Sequence, residues 1–166
     1  MRCLDNRASP PGTMSQESRM RIEHRIGIAA PKDVIWESLY DLTSWPEWNP
    51  LYPRADGAIR IGNALELDLA LPGRPVQIIR PVILDWAPED HIHWRLSMAG
   101  GMIKSVRFIE IEPLSERGCV FSNGELFSGL LAPVALPRLG RSIHQGFTAM
   151  GEALKARAEA RWQAGG

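Results

Sequence analysis

Two periods divide this chain. In its middle, apolar residues fall on every second position: "ALELDLAL" sets Leu65, Leu67, Leu69 and Leu71 against Glu66 and Asp68. "HIHWRLSM", "MIKSVRFIEIEPL" and "CVFSNGELFSG" keep that alternation. Past Pro137 the spacing becomes helical. Leu139, Ile143, Phe147, Met150, Leu154 and Ala158 share one stripe, with Arg141, Gln145, Glu152, Lys155 and Arg157 largely between them. Strands with one apolar face and a single long amphipathic helix bury both by packing together. The expected class is therefore α+β, an antiparallel sheet with the helix laid on one face. Pro137 and Gly140, near the start of that helix, predict a kink or a break.

The remaining segments fill in the order. "RIEHRIGIAA" alternates Ile22, His24, Ile26 and Ile28 with Glu23, Arg25 and Gly27, a half-buried strand. "APKDVIWESLYDL" reads as a helix opening at Pro31, and "TSWPEW" as a second short helix with Thr43 or Ser44 as its cap. "LPGRP" and "APED" are turns, and "VQIIRPVILDW" between them reads as one long strand. The expected order is thus a strand, two short helices, about six strands of antiparallel meander and a long helix. Residues 21–162 show no repeat and no linker, so one domain is expected there. Residues 1–20 are polar and rich in Pro and Ser, and are expected to form a disordered tail, with Met14 or Met20 as alternative initiators.

Charge and cysteine usage narrow the partners. Lys+Arg and Asp+Glu number 19 each, which gives none of the positive field a nucleic-acid binder needs. No apolar run approaches the ~20 residues that cross a bilayer, and the start lacks the apolar core of a secretory signal. Cys3 and Cys119 lie far apart, so neither a disulfide nor a cysteine metal site is expected. A cytoplasmic location follows as the expectation.

The hairpins fix which side chains face the helix. A two-residue turn at Gly100-Gly101 places Met98 opposite Ile103, Leu96 opposite Ser105 and Trp94 opposite Arg107. Through "PLSERG", Ile111 can pair with Cys119, Ile109 with Phe121 and Arg107 with Asn123. One face then carries Ile92, Trp94, Leu96, Met98, Ile103, Ile109, Ile111, Phe121 and Phe127. A slip of one residue would bury His91, His93, Arg95, Lys104 and Glu110 instead, which is costly. Arg107, Ser105, Asn123 and Glu125 share the inner face, and His24 shares that of the first strand. Two readings stand. Either Arg107 and Glu125 neutralise each other as diagonal neighbours, with His24 and Asn123 satisfied nearby, or the group forms a polar patch at one end of an apolar pocket.

Four pieces of the chain together resemble the START-like, helix-grip (SRPBCC) superfamily, in its polyketide cyclase/dehydrase and lipid-transport branch. They are "IAAPKDVIWESLYDLTSWPEWNP", Gly62 before a strand, "VRFIEIEPLSERGCVFSNGELFSGLL" and "GFTAMGEALKARAE". The resemblance implies a seven-stranded antiparallel sheet curled around the C-terminal helix, two short helices wedged at one end, and a cavity, usually apolar, between sheet and helix. It implies ligand binding without naming a ligand. On that basis the ligand-binding candidates are His24, Trp48, Trp94, Arg107, Asn123, Glu125, Phe127, Phe147 and Met150. Glu125, Arg107 and His24 are the candidate catalytic groups. Trp45 and Trp48 either wall the cavity mouth or plug the core, and "FSGLLAPVALPRLG" is a second candidate gate.

Metal and cofactor chemistry is not expected. His91 and His93 stand at i, i+2 but on the outer face, with no carboxylate or cysteine partner expected at useful spacing, and read as surface histidines. Cys119 reads as a small buried residue. "FSGLL" is no nucleophile elbow, and Gly100-Gly101 is a turn and not a phosphate loop. Three functions remain open. One is binding or transfer of a small hydrophobic molecule such as a lipid, quinone or polyketide-like aromatic. Another is a cyclase/dehydratase-type enzyme using the polar patch. The last is a protein-interaction module such as a chaperone cofactor.

Overall fold

The structure is a computed structural model that describes residues 20–165. The expected tail, with Cys3 and Met14, lies outside the described residues; Met20 is already the first residue of a strand. In chain order the elements are β1 (Met20–Ile28), α1 (Lys32–Tyr40), a 3-10 turn (Leu42–Ser44) and α2 (Trp45–Trp48). Next come β2 (Arg54–Asp56), β3 (Glu66–Leu69), β4 (Gln77–Ile79), β5 (Val82–Ala87) and β6 (His91–Met98). After a second 3-10 turn (Ala99–Gly101) follow β7 (Ile103–Ser115), β8 (Gly118–Ser128) and α3 (Ala132–Gly165). No described helix is long and apolar enough to cross a membrane.

The class is α+β, with α3 packed on antiparallel sheet as the two periods require. The single seven-stranded sheet is corrected. Five strands run in the order β1-β8-β7-β6-β5, and β2-β3-β4 form a separate three-stranded sheet. The division falls inside "VQIIRPVILDW", expected as one strand, at Arg80-Pro81. Pro81 has no N–H to extend a ladder. Its carbonyl instead accepts from Leu65 N at 2.9 Å, part of an isolated bridge, Ala64 to Val82, between the segment before β3 and the start of β5.

Between β6 and β7 the register is the one the alternation demanded: Trp94 opposite Arg107, Leu96 opposite Ser105, Met98 opposite Ile103. The two-residue loop is corrected: the ladder ends at Met98 opposite Ile103, so four residues, Ala99–Met102, connect the strands, with Ala99, Gly100 and Gly101 at φ of 52°, 65° and 88°. The β7–β8 register differs by two residues. Arg107 lies opposite Glu125, Ile109 opposite Asn123 and Ile111 opposite Phe121, and this register holds as far as Pro113 opposite Cys119, with an irregularity between Pro113 and Ser115 next to the turn. A slide of two preserves every facing, so Ile109, Ile111, Phe121 and Phe127 are buried inward as expected.

Of the expected kink or break at Pro137 and Gly140, the break does not occur: α3 runs as one helix through both. Pro137, the sixth residue of the helix, leaves the Pro133 carbonyl without its i+4 N–H donor. Glycines bring α3 close to its neighbours. A Cβ on Gly146 would sit 2.8 Å from Leu51, and one on Gly151 2.8 Å from His24 Nδ1. The α1 stripe buries Ile35, Trp36 and Leu39 as its spacing suggests.

Candidate functional site

Between the sheets and α3 lies a cavity of about 180 Å³. Trp94, Leu96 and Met98 of β6, Ile103 of β7 and Phe127 of β8 form one wall. Leu69, Leu71 and Ile79, from in and around the small sheet, form another, and Leu136, Leu139, Ile143 and Phe147 of α3 close it. Arg74, Pro75 and Gln77, in the turn before β4 and at its start, stand at the exposed rim. Two polar side chains, Glu125 and Tyr52, enter from the floor.

Glu125 makes no side-chain hydrogen bond among the described residues. Burial pushes its carboxyl pKa up, while the Arg107 charge and, more weakly, Ser105 oppose the rise. Ser105 Oγ makes no hydrogen bond of proper geometry. The expected neutralising pair is therefore corrected: Arg107 spends its guanidinium on neutral partners. Its Nε donates to Tyr52 Oη at 3.2 Å and its Nη1 to the carbonyls of Gly124 at 2.8 Å and Phe108 at 3.1 Å. Nη2 donates to Asn123 Oδ1 and reaches Met150 Sδ at 3.7 Å. The group also lies 4.0 Å above the Phe147 ring. A wholly buried cation is held here by forked donation into dipoles and a π face.

Tyr52 supplies the second polar group, and the sequence reading missed it. It sits in the irregular segment after α2, where no period assigns a face. Asn49 sets it: the Asn49 side-chain oxygen accepts from Leu51 N at 3.1 Å and Tyr52 N at 3.2 Å. That Asx-type turn is the signal "WNPLY" carried. Burial pushes the Tyr52 phenol pKa up, against the pull of Arg107, so the hydroxyl keeps its proton. Because Tyr52 Oη accepts from Arg107, its own O–H is free to donate. The floor of the cavity thus offers the Tyr52 O–H as a donor beside a carboxyl whose protonated form burial favours, groups that suit a ligand carbonyl or a developing oxyanion.

Of the candidate ligand-binding residues, the structure brings Trp94, Glu125, Phe127 and Phe147 to the cavity wall. Arg107, Asn123 and Met150 stand behind it as support; Asn123 Nδ2 also donates to the Phe147 carbonyl at 2.8 Å. His24 and Trp48 do not line it. His24 lies between β1 and α3, edge-on to His144 with ring centroids 6.2 Å apart. Its Nδ1 is buried without a hydrogen-bond partner, so the expected nearby partner is absent among the described residues. Burial first, then the charge of His144, holds its pKa low, with Glu152 opposing. The tryptophan segment closes over core. Trp45 is fully buried, donates to the Leu39 carbonyl at 3.2 Å and stacks on Tyr52 at 5.6 Å. Trp48 packs edge-on against Trp45. The stretch serves the cavity at one remove, by bracing Tyr52 against Trp94.

The outer face of the sheet carries a correction too. His91 and His93 do have carboxylate partners. His91 bonds Asp90 at 2.7 Å and Asp85 at 3.0 Å, and His93 bonds Glu110 at 2.8 Å. Two of these acids come from the flanking strands β5 and β7, where sequence spacing does not reveal them. Cys119 is buried as expected, and burial raises its thiol pKa.

Residues 19–159 match the family described as polyketide cyclase / dehydrase and lipid transport. No curated protein matches the chain. Among solved structures, the Zhui aromatase/cyclase from Streptomyces sp. R1128 superposes with a TM-score of 0.73 at 18% identity, covering 89% of this chain and 98% of that one. A START superfamily protein from Mycobacterium smegmatis gives 0.67 at 20% identity, over 85% and 98%. Norcoclaurine synthase from Thalictrum flavum gives 0.64 at 18% identity, over 94% and 96%. At such identities these likenesses speak to the fold.

Proposed function

The chain belongs to the polyketide cyclase / dehydrase and lipid transport family, and from that premise we propose that it binds a small, mainly apolar molecule carrying a carbonyl or similar acceptor. The ligand lies between the sheets and α3 with its acceptor toward Glu125 and Tyr52. One observation carries this reading: an unpartnered carboxyl, its pKa raised by burial, on the wall of an otherwise apolar cavity. A cavity near 180 Å³ suits a molecule of one or two rings, since an apolar void of about 150 Å³ takes benzene.

The same carboxyl favours a second reading, a dehydratase or cyclase step. In a β-hydroxy carbonyl ligand, Glu125 would give its proton to the hydroxyl, which leaves as water. The resulting carboxylate would then take the α-proton, returning Glu125 to its first state. Tyr52 would hold the carbonyl oxygen as charge develops, and Arg107 would steady Tyr52.

The test begins with native mass spectrometry of the purified protein and identification of any released molecule. Displacement of the neutral two-ring dye 6-propionyl-2-dimethylaminonaphthalene by hydroxyaromatic ketones then reads binding. Ile143→Trp, which fills the cavity, is expected to abolish dye binding while the protein stays folded. Retained binding in that variant would overturn the cavity as the site. For a carrier, Glu125→Gln lowers ketone affinity by about tenfold or less, the scale of one hydrogen bond. For an enzyme it leaves binding near that level and removes most turnover.

A further inference from the structure

We propose that Asp85, His91 and His93 form a binding site for a divalent transition-metal ion, zinc foremost, on the outer face of the five-stranded sheet. The cluster is separate from the ligand cavity. His91 and His93 alternate with Ile92 and Trp94 on β6, so they stand on the opposite face from the cavity wall.

The register builds the site. Asp85 on β5 lies directly opposite His93 on β6, and His91 is two residues along on the same face. One ligand atom from each of the three lies within 4.8 Å of the others. Two imidazoles and one carboxylate suit zinc, nickel or copper and match poorly the all-oxygen preference of calcium and magnesium.

Carboxylates also occupy the positions that orient metal-binding histidines. Asp90 holds His91 Nδ1 at 2.7 Å, which turns His91 Nε2 toward Asp85, 3.0 Å from its Oδ2. Glu110 holds His93 Nε2 at 2.8 Å and leaves Nδ1 as the coordinating nitrogen. A carboxylate behind each ligating imidazole fixes its tautomer and raises its basicity. The two rings stack with centroids 4.5 Å apart, so neither turns freely.

Charge points the same way. Asp85, Asp90 and Glu110 surround two imidazoles, and among the described residues none of the three acids has a lysine or arginine within salt-bridge distance. A divalent cation offsets that excess. Three protein ligands leave room for water, and the ion would clip β5 to β6 across the 88–90 turn.

The experiment is calorimetric titration of the intact protein with zinc chloride at about pH 7.5, where free imidazole is neutral. Magnesium chloride serves as the control. One zinc per chain with micromolar or tighter affinity, and no magnesium uptake, is expected. His91→Ala and His93→Ala should each lose at least about tenfold in affinity. Asp90→Ala, which keeps every ligand, should also lose about tenfold, because it removes the orienting bond to His91 Nδ1. Circular dichroism of each variant establishes that it is folded. Absence of zinc binding, or binding unchanged in His91→Ala, would overturn the site. An unchanged Asp90→Ala would overturn the assignment of Asp90 as the positioning residue.

Discussion

Glu125 costs the fold stability in the state that most carboxylates prefer. Its pKa is raised in the folded chain, so the folded state holds a proton that the unfolded chain has already released. Stability from this group is complete below the ordinary glutamate value of 4.5 and is lost as pH rises from there through the raised value. Glu125→Gln keeps the shape and removes the charge. The variant should melt higher than the parent near neutral pH, and the gap should close on acidification, as read by thermal melts across a pH series. A gap that stays constant with pH would mean Glu125 is ionised in the fold. Such a trade, stability given up for a reactive group, is usual where a site is built for chemistry or recognition. Arg107 shows the complementary case, a charge kept in the interior by saturating its donors.

At the scale of elements, β1 against α3 is the seam where His24 matters. Its lowered pKa makes the neutral form the folded one. Below the ordinary histidine value of 6.5 the unfolded chain takes up a proton that the fold refuses, so stability falls as pH drops through that range. His24→Gln should flatten this acid slope in urea titrations near pH 6. Gly151→Ala, which drives a Cβ against the His24 ring, should lower stability by about 1–3 kcal/mol at every pH. The elements themselves were largely legible: the change of period marks α3, and alternation marks β6, β7 and β8 together with their inner face. Alternation cannot distinguish registers two residues apart, so it set the face of Arg107 and missed its neighbour. Pro81 was visible, yet the apolar run on both sides hid a sheet boundary. Tyr52 lay in a segment without period, found only through the turn that Asn49 makes. His24 and Trp48 were placed on the right elements and still fell outside the cavity, because facing inward along a sheet does not say which part of the interior a residue meets.

For the whole molecule, the two sheets divide the labour. The five-stranded sheet carries the buried polar network and more of the core than the small sheet does, with Arg107, Asn123 and Phe121 fully enclosed. The three-stranded sheet has short strands, and Val76 and Ile78 at its end are largely exposed. Amide exchange should follow that division. Protons of β2, β3 and β4 are expected to exchange faster than those of β7 and β8, and bound dye should slow the former selectively. Uniform exchange, or slowing confined to β7 and β8, would contradict this.

The break at Pro81 has a mechanical meaning. The segment leading into the small sheet meets β5 through three backbone hydrogen bonds: Gly62 to Ile83, and Leu65 to Pro81 and Ile83 to Asn63, which together make the bridge Ala64–Val82. The cavity therefore has a stiff wall and a compliant one. A guest larger than the resting space of about 180 Å³ is expected to displace the small sheet before the large one. Affinity across a series of growing guests should then fall gradually with size, without a cutoff.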